Sequence, residues 1–450
     1  MLQEIYDKSP VFLQNIMCSV KGEINRRRRF GKGFFNYLDL LENRQINAEK
    51  ELGYFLKSVE NVPAYKKIFD KARKDGRKVK LEDFPIINKL YVKEHYEDFI
   101  NKGFRGRTVM MHTGGTTGSG LVFPHSVDFE NRQWATWWRY FESLGIKYGT
   151  WAAVFNCAHM VVPISQRKPP YWRVNRPCQQ LICSPYHICK DTVQEYVEEI
   201  EKRGIVWVHG YASNVRYLCN VAIDAGLKPM TNIKYVTTGA ENLLPACVTD
   251  IQRFFPNAII RTHYGQTEGV ANFSMTKEGN WVVDDDMAYV ELIPVSKDEP
   301  ERCRIIGTSF GNLAFPLIRY DIGDIAIVDW SNGKPTIQYI EGRDNEYFVL
   351  ADGTKISNMR VYDIFKESSN VIEAQIRVKA PDNLELVIVK SDKYCAKDEK
   401  DILCQVRKYF TGKINVTLRY VDSIERAASG KFRALISDMS KEQKFKNSPQ

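Results

Sequence analysis

Between about residues 150 and 330, short runs rich in Val and Ile alternate with stretches of helical spacing, and no other feature narrows the fold as far. The runs fall at 151–155, 204–208, 233–237 and 258–261, and residues 191–202 carry Val and Ile at helical intervals. Strand–helix alternation of this kind builds an α/β sheet. Ligands on such sheets sit at the C-terminal ends of the strands, so the loops there are the first places to search. A second region starts near Gly342. Tyr347-Phe-Val-Leu350 and Thr354-Lys-Ile-Ser357 flank Ala351-Asp-Gly353, a hairpin signal. The apolar run 384–389 and a helix-like stretch at 400–410 follow. The expected organisation is a large N-terminal α/β domain over 1–342 and a small α+β domain over 343–450. Residues 1 to about 105 read as helical and polar, with Pro63 and Pro85 as breaks.

Composition removes several classes. The 450 residues are 44% hydrophobic and 26% charged, which is ordinary globular usage. Net charge is only +9, and the one strong basic cluster is Arg26 to Arg29. It could meet phosphate or an acidic membrane surface, but a solvated helix face is the plainer expectation, and no nucleic-acid partner is expected. No apolar run reaches the roughly 18 residues that span a bilayer. No secretory signal is visible at the N-terminus. The ten cysteines include no CxxC, so reduced thiols and a cytoplasmic location are expected. Cys178, Cys183, His187 and Cys189 form the tightest group, yet their spacing matches no common zinc knuckle.

Five segments carry chemistry. His112-Thr-Gly-Gly-Thr-Thr-Gly-Ser-Gly120 is a loop of exposed N–H groups and hydroxyls, able to form a nest for an anion. It lacks the Gly-Lys-[Ser/Thr] ending of a Walker A loop. His263-Tyr-Gly-Gln-Thr-Glu-Gly269 follows a strand. There Tyr264 can stack on a base, Thr267 can donate to a phosphate oxygen, and Glu268 can hold Mg²⁺. Arg319-Tyr-Asp-Ile-Gly-Asp324 and Glu341-Gly-Arg-Asp344 supply carboxylates and guanidinium forks for ribose hydroxyls or phosphate. Ala428-Ser-Gly-Lys431 presents a cation on a small turn.

In this order and at these separations the five segments resemble the core motifs of the adenylate-forming superfamily, nearest to the phenylacetate–CoA ligase family and its CapK-type capsule-biosynthesis branch. Val62-Pro-Ala-Tyr65, Phe84-Pro-Ile-Ile-Asn-Lys89 and Gly239-Ala-Glu241 extend the resemblance over nearly the whole chain. It implies a large adenylation domain, a small mobile C-terminal domain, and ATP between them. By analogy Thr113, Gly115, Thr116, Thr117 and Gly118 cradle the β- and γ-phosphates. Gly239, Ala240, Glu241 and Tyr264 form the adenine side, Thr267 meets the α-phosphate, and Glu268 binds Mg²⁺. Asp324 and Arg343 hold the ribose, and Lys431 bridges the carboxylate and the α-phosphate. Catalysis would then rest on Lys431, Thr267 and Glu268.

Three positions depart from the family pattern. Gly114 stands where Ser is usual, and Ser119 where Lys is frequent. The hinge position, usually Asp, falls on Asn345. No cysteine or histidine set follows Glu268, so the metal site of some relatives is not expected here.

Trp134, Trp137, Trp138 and Phe141 share a helix face, expected to pack the core or in part to line an aromatic acyl pocket. His209, Tyr211 and Ser213 look like a substrate-side loop. The function these features imply is activation of a small-molecule carboxylate by ATP, with release of pyrophosphate. Transfer of the acyl group to CoA, or to an amine or hydroxyl in capsule or envelope polysaccharide synthesis, would follow. The competing reading is a non-catalytic nucleotide-binding relative acting as a scaffold.

Overall fold

The computed structural model describes residues 2–43, 46–113, 120–156, 161–331, 333, 335–343, 347–350, 355–357, 361, 364–365, 368, 370–410, 414–426 and 431–439. An eight-stranded sheet forms its centre. In spatial order the strands are Trp281–Val283, Asn272–Met275, Ile259–Gly265, Tyr235–Gly239, Trp207–Gly210, Ala152–Phe155, Gln180–Cys183 and Trp172–Asn175. From Ile259–Gly265 to Gln180–Cys183 the pairing is parallel, and both outer edges are antiparallel. Four of the five parallel strands fall where the Val and Ile runs predict them, each starting one to three residues later, while Gln180–Cys183 lies outside every predicted run. Their crossover helices Val193–Lys202, Ala212–Asp224 and Pro245–Phe254 cover one face, where Phe155, Val208, Val215, Val236, Ile251 and Ile260 build the largest core. Helix Val127–Ser143 and the N-terminal helix Lys32–Glu42 cover the other face.

The strand–helix alternation ends with strand Ile259–Gly265, earlier than the sequence reading put it. Beyond that point antiparallel strands take over, because arms such as Ala288–Pro294 and Arg302–Ser309 pair directly in sequence order with no crossover to make. A five-stranded sheet results, joining Ile87–Asn88, Tyr320–Asp329, Arg302–Ser309 and Ala288–Pro294, with Thr336–Arg343 paired to Tyr320–Asp329. The first hundred residues are helical as expected. Pro63 opens the helix Pro63–Lys74 at its first position, where a missing N–H costs nothing.

A four-stranded sheet of Asn415–Tyr420, Asn383–Lys390, Val371–Ala380 and Leu435–Ser437 packs with helix Ala396–Tyr409 around a core of its own. The expected hairpin near Asp352 is present as Tyr347–Val349 paired with Lys355–Ser357, its turn lying outside the described residues. Ile372, Val387, Val389 and Ile424 of this C-terminal part pack into the large central core, so it is seated on helix Ala212–Asp224. No described helix is long and apolar enough to cross a membrane.

Arg27 keeps the solvated position that the sequence suggests, its side chain 77% exposed, but Arg28 and Arg29 do not. Arg26 and Arg27 reach Glu23 at 2.7 Å. Arg28 and Arg29 reach the buried Glu130 of helix Val127–Ser143 at 2.8 and 3.0 Å. Arg28 and Arg29 thus clasp two helices together, while Arg26 and Arg27 pair within their own helix. The four candidate zinc residues also fail to converge. His187 Nδ1 goes to Ser184 Oγ at 2.7 Å, the Cys178 thiol donates to Gly22 O, and Cys183 is buried in the central core. Among the described residues no group of three or more His, Cys, Asp or Glu gathers as a metal site.

Candidate active site

The site lies at the C-terminal ends of the parallel strands. Strand Tyr235–Gly239 runs into Ala240, whose φ of +62° is left-handed and turns its carbonyl outward. Lys431 Nζ donates to Ala240 O at 3.1 Å and sits 5.7 Å from the ring of Tyr211. Glu241 follows, and one of its oxygens accepts the Ser213 N–H at 3.0 Å while the other is buried without a partner. Burial pushes the Glu241 carboxyl up, opposed by the Ser213 bonds and by the charge of Lys431. The expected substrate-side residues Tyr211 and Ser213 are thus drawn to the Lys431 side of the cleft.

The neighbouring strand end supplies the second wall. Tyr264 stacks on Phe273, ring centres 5.1 Å apart, and donates its hydroxyl to Asp324 Oδ2 at 2.6 Å. Asp324 faces Arg343 across the strand pair, at 3.8 Å. Burial raises the Asp324 carboxyl, and the Tyr264 hydrogen bond with the charges of Arg343 and Lys431 pulls it back. The other side chains of the Arg319–Asp324 segment serve the frame. Arg319 forks onto Glu291, Asp321 pairs with Arg304 at 3.1 Å, and Tyr320 donates to Glu268 at 3.3 Å. Glu341 likewise pairs with Arg302 at 2.8 Å, outside the cleft.

Thr267 is half-buried in the turn that Gln266 and Gly269 close. Glu268 is buried, and burial raises its carboxyl against the charges of Lys89 and Arg343. Among the described residues Glu268 belongs to no group of three or more acidic, cysteine or histidine side chains, and such a carboxylate suits a cation that completes its shell with phosphate oxygens, the habit of Mg²⁺. The glycine-rich loop joins the antiparallel strands Thr108–His112 and Val122–Ser126. At its base Thr113 N donates to Leu121 O at 2.9 Å, and Leu121 N to Thr113 Oγ1 at 2.8 Å. A Cβ on Gly120 would meet Thr113 O at 2.5 Å, so only glycine permits this closure. Gly115, Thr116, Thr117 and Gly118, with the departures Gly114 and Ser119, lie outside the described residues, as does the hinge residue Asn345.

Lys89 was missed as a functional residue. Its Nζ donates to Thr113 Oγ1 at 2.6 Å, and its charge bears on Glu268, so it ties the loop base to the acidic wall. The Pro…Lys segment was the available signal. Tyr320 escaped notice because its partner is 52 residues away.

On the face of the sheet under helix Val127–Ser143 lie His209 and His263. A Cβ on Gly239 would come within 2.8 Å of the His263 ring, which in turn sits 5.6 Å from Trp137 and 6.2 Å from Phe141. Burial pushes His209 down to about 4 and His263 down to about 3, so both are neutral at pH 7. The aromatic stripe divides. Trp138 and Phe141 are buried core, whereas Trp134 and Trp137 are half-buried, and Trp137 donates to Asn272 Oδ1 at 2.9 Å.

Comparison with known proteins bears on the fold. Residues 348–438 match the CapK C-terminal domain family. The chain is 26% identical to protein CapK of Staphylococcus aureus over 463 aligned residues, covering 98% of this chain and all of the relative. Among solved structures, 2-hydroxyisobutyryl-CoA ligase in its postadenylation state with 2-HIB-AMP superimposes with a TM-score of 0.64 at 17% identity, over 87% of this chain and 88% of that one. An anthranilate CoA ligase with anthranoyl-AMP matches at a TM-score of 0.50 and 13% identity, over 72% of this chain and 64% of that one. The fold is that of the adenylate-forming ligases.

Proposed function

We propose that this chain, which resembles CapK over its full length and carries a CapK C-terminal domain, is an ATP-dependent carboxylate-activating ligase. A carboxylate oxygen attacks the α-phosphorus, the bond from that phosphorus to the bridging oxygen breaks, and acyl-adenylate and pyrophosphate form. Two anions must meet for this to happen, so positive charge has to be held where they approach. Lys431 supplies it. The observation that carries the reading is its Nζ hydrogen-bonded to Ala240 O, on the segment next to Tyr264, Asp324 and Glu241.

In this reading Thr113 and Gly115 to Gly118 hold the β- and γ-phosphates, with Lys89 at the base of the loop. Gly239, Ala240, Glu241 and Tyr264 take the adenine, Asp324 and Arg343 the ribose, and Thr267 the α-phosphate. Glu268 would hold Mg²⁺, which neutralises phosphate charge. The boundary between the two functional parts falls at 342, with Asn345 as the hinge. The acyl group then passes to CoA, or to an amine or hydroxyl acceptor in capsule or envelope polysaccharide synthesis.

Carboxylate-dependent pyrophosphate–ATP exchange over a panel of acids tests the reading. Lys431→Ala should lower exchange by roughly 10²–10³-fold, the usual effect of removing one such donor, with an unchanged melting temperature. Binding of ATP without exchange for any acid would favour a non-catalytic scaffold instead.

A further inference from the structure

Helix Val11–Arg29 wears its apolar side chains on the outside. Phe12, Ile16, Val20 and Ile24 stand four residues apart, with Leu13 beside them. At 100° per residue the five fall within an arc of about 120°, a single stripe along one side of the helix. Twelve residues at about 1.5 Å each make that stripe roughly 18 Å long. All five side chains are open to solvent, from 39% for Leu13 to 63% for Phe12.

The opposite side of the helix is the one the protein buries, and it is polar. Gln14, Cys18 and Gly22 are buried there. Gln14 Oε1 accepts from Arg173 Nε at 2.6 Å, and its Nε2 donates to Tyr6 O at 2.9 Å. Asn15 Oδ1 accepts the Val174 N–H at 2.8 Å, and Ser19 Oγ donates to Val174 O at 3.1 Å. Trp172–Asn175 is an outer strand of the central sheet, so Asn15 and Ser19 satisfy backbone groups that a further strand would otherwise take. A surface helix ordinarily buries its apolar stripe and shows its polar one. Here the sheet edge holds the polar side, and the apolar side faces away from the protein.

The helix also carries surplus positive charge. Lys21 and Arg26 to Arg29 share two carboxylates among the described residues, Glu23 of the same helix and Glu130, which leaves an excess of three. Arg27 continues the line of the stripe one turn beyond Ile24, and Lys21 is exposed at its border.

Five large side chains, each about half exposed, offer roughly 500 Å² of apolar surface, at the upper end of what monomers leave bare. That falls short of the roughly 800 Å² per partner that a stable protein interface buries. A two-fold pairing of this face would also set the excess charge of one copy against the same charge on the other. An acidic lipid surface meets both features together. Its phosphates take the cations, and its acyl boundary takes an apolar stripe to a depth of about 5–10 Å.

We propose that the stripe of Phe12, Leu13, Ile16, Val20 and Ile24 docks this protein on an acidic phospholipid surface. The helix lies in the headgroup plane, with Lys21 and Arg27 on lipid phosphate. This docking is independent of the chemistry in the cleft.

The test is sedimentation of the full chain with vesicles of phosphatidylcholine alone or mixed equally with phosphatidylglycerol. The mixed vesicles should bind at least about tenfold better, since each cation near an anionic surface adds to the attraction. Salt at about 0.5 M, which shortens the screening length to roughly 4 Å, should remove most of that preference. Ile16→Gln with Val20→Gln should weaken binding to the mixed vesicles at least about tenfold with an unchanged melting temperature, because both side chains are exposed and glutamine keeps a helix. Phe12→Gln with Ile24→Gln should do the same and gives a second reading if the first pair disturbs the fold. Lys21→Gln with Arg27→Gln should abolish the preference for the mixed vesicles. Failure to bind the mixed vesicles overturns the proposal, as do equal binding to both compositions and binding that survives both apolar-to-glutamine pairs. Light scattering without vesicles supplies the last arm: a dimer that both of these pairs dissolve overturns the proposal in favour of a second copy as the occupant.

Discussion

His209 shows how one side chain links stability to the site. Its folded-state value is pushed down to about 4 by burial, below the ordinary histidine value near 6.5. A depressed histidine contributes stability that is present above the unfolded value and is lost as pH falls through it toward the folded value. Unfolding free energy should therefore fall between pH 6.5 and 4. His209→Phe should flatten that slope by about one proton, roughly 1.4 kcal/mol per pH unit. Denaturant titrations read by Trp fluorescence at pH 7, 6 and 5 measure it; an unaltered slope would show that His209 titrates normally. This was only half legible in the sequence. His209 ends a Val-rich strand and so could be placed at a strand terminus. Its neutrality depends on Thr237, Trp207 and Phe141, which only the sheet register and helix Val127–Ser143 bring around it.

At the scale of elements, the clasp between helices Val11–Arg29 and Val127–Ser143 shows what local patterning misses. Arg28 and Arg29 read as part of a solvated face because their partner Glu130 is a hundred residues away. Glu130 is 2% exposed in its side chain, whereas Arg28 and Arg29 are 23% and 30% exposed, so solvent can partly take over when the acid is removed. Glu130→Ala should cost about 1–3 kcal/mol, below the full 3–5 kcal/mol of a wholly buried pair. A double-mutant cycle with Arg29→Ala checks that the loss comes from the pair, since the interaction energy vanishes if it does not. Close approach of the same helix to strand Trp172–Asn175 also depends on Gly22, where a Cβ would fall 1.9 Å from Asn175 Oδ1. The parallel strands were legible because buried strands read as Val and Ile runs. The antiparallel strands after Phe254 were not, since their pairing is set by turns and register rather than composition.

At the scale of the molecule, the C-terminal sheet is held to helix Ala212–Asp224 by few but distinctive contacts. Arg426 pairs with Glu373 at 2.7 Å, both nearly buried, and lies over the rings of Tyr217 and Phe432. Asn220 donates to Ile372 O at 3.0 Å, and Lys190 joins Asp224 and Asp392 at the rim. Arg426→Leu strands a buried carboxylate and should cost about 3–5 kcal/mol. Because Tyr217 belongs to the other side of this contact, hydrogen exchange should rise in both Ala212–Asp224 and Val371–Ala380. A rise confined to Val371–Ala380 would show that Arg426 serves only its own sheet. The motifs gave the residues of the cleft, but they gave no sign of this seating, whose members are scattered from Lys190 to Phe432.

Thr113 and Leu121 are tied to each other on both edges, and Lys89 anchors the threonine from outside the hairpin. The strands are therefore spliced together below the glycine-rich tip and do not rely on it for their register. Such a tip is an interchangeable cassette. Its sequence can drift, as Gly114 and Ser119 do from the pattern the sequence resembles, with the change felt, in the proposed function, by the nucleotide and not by the scaffold. Variation among relatives should then gather above the Thr113–Leu121 knot and thin out below it.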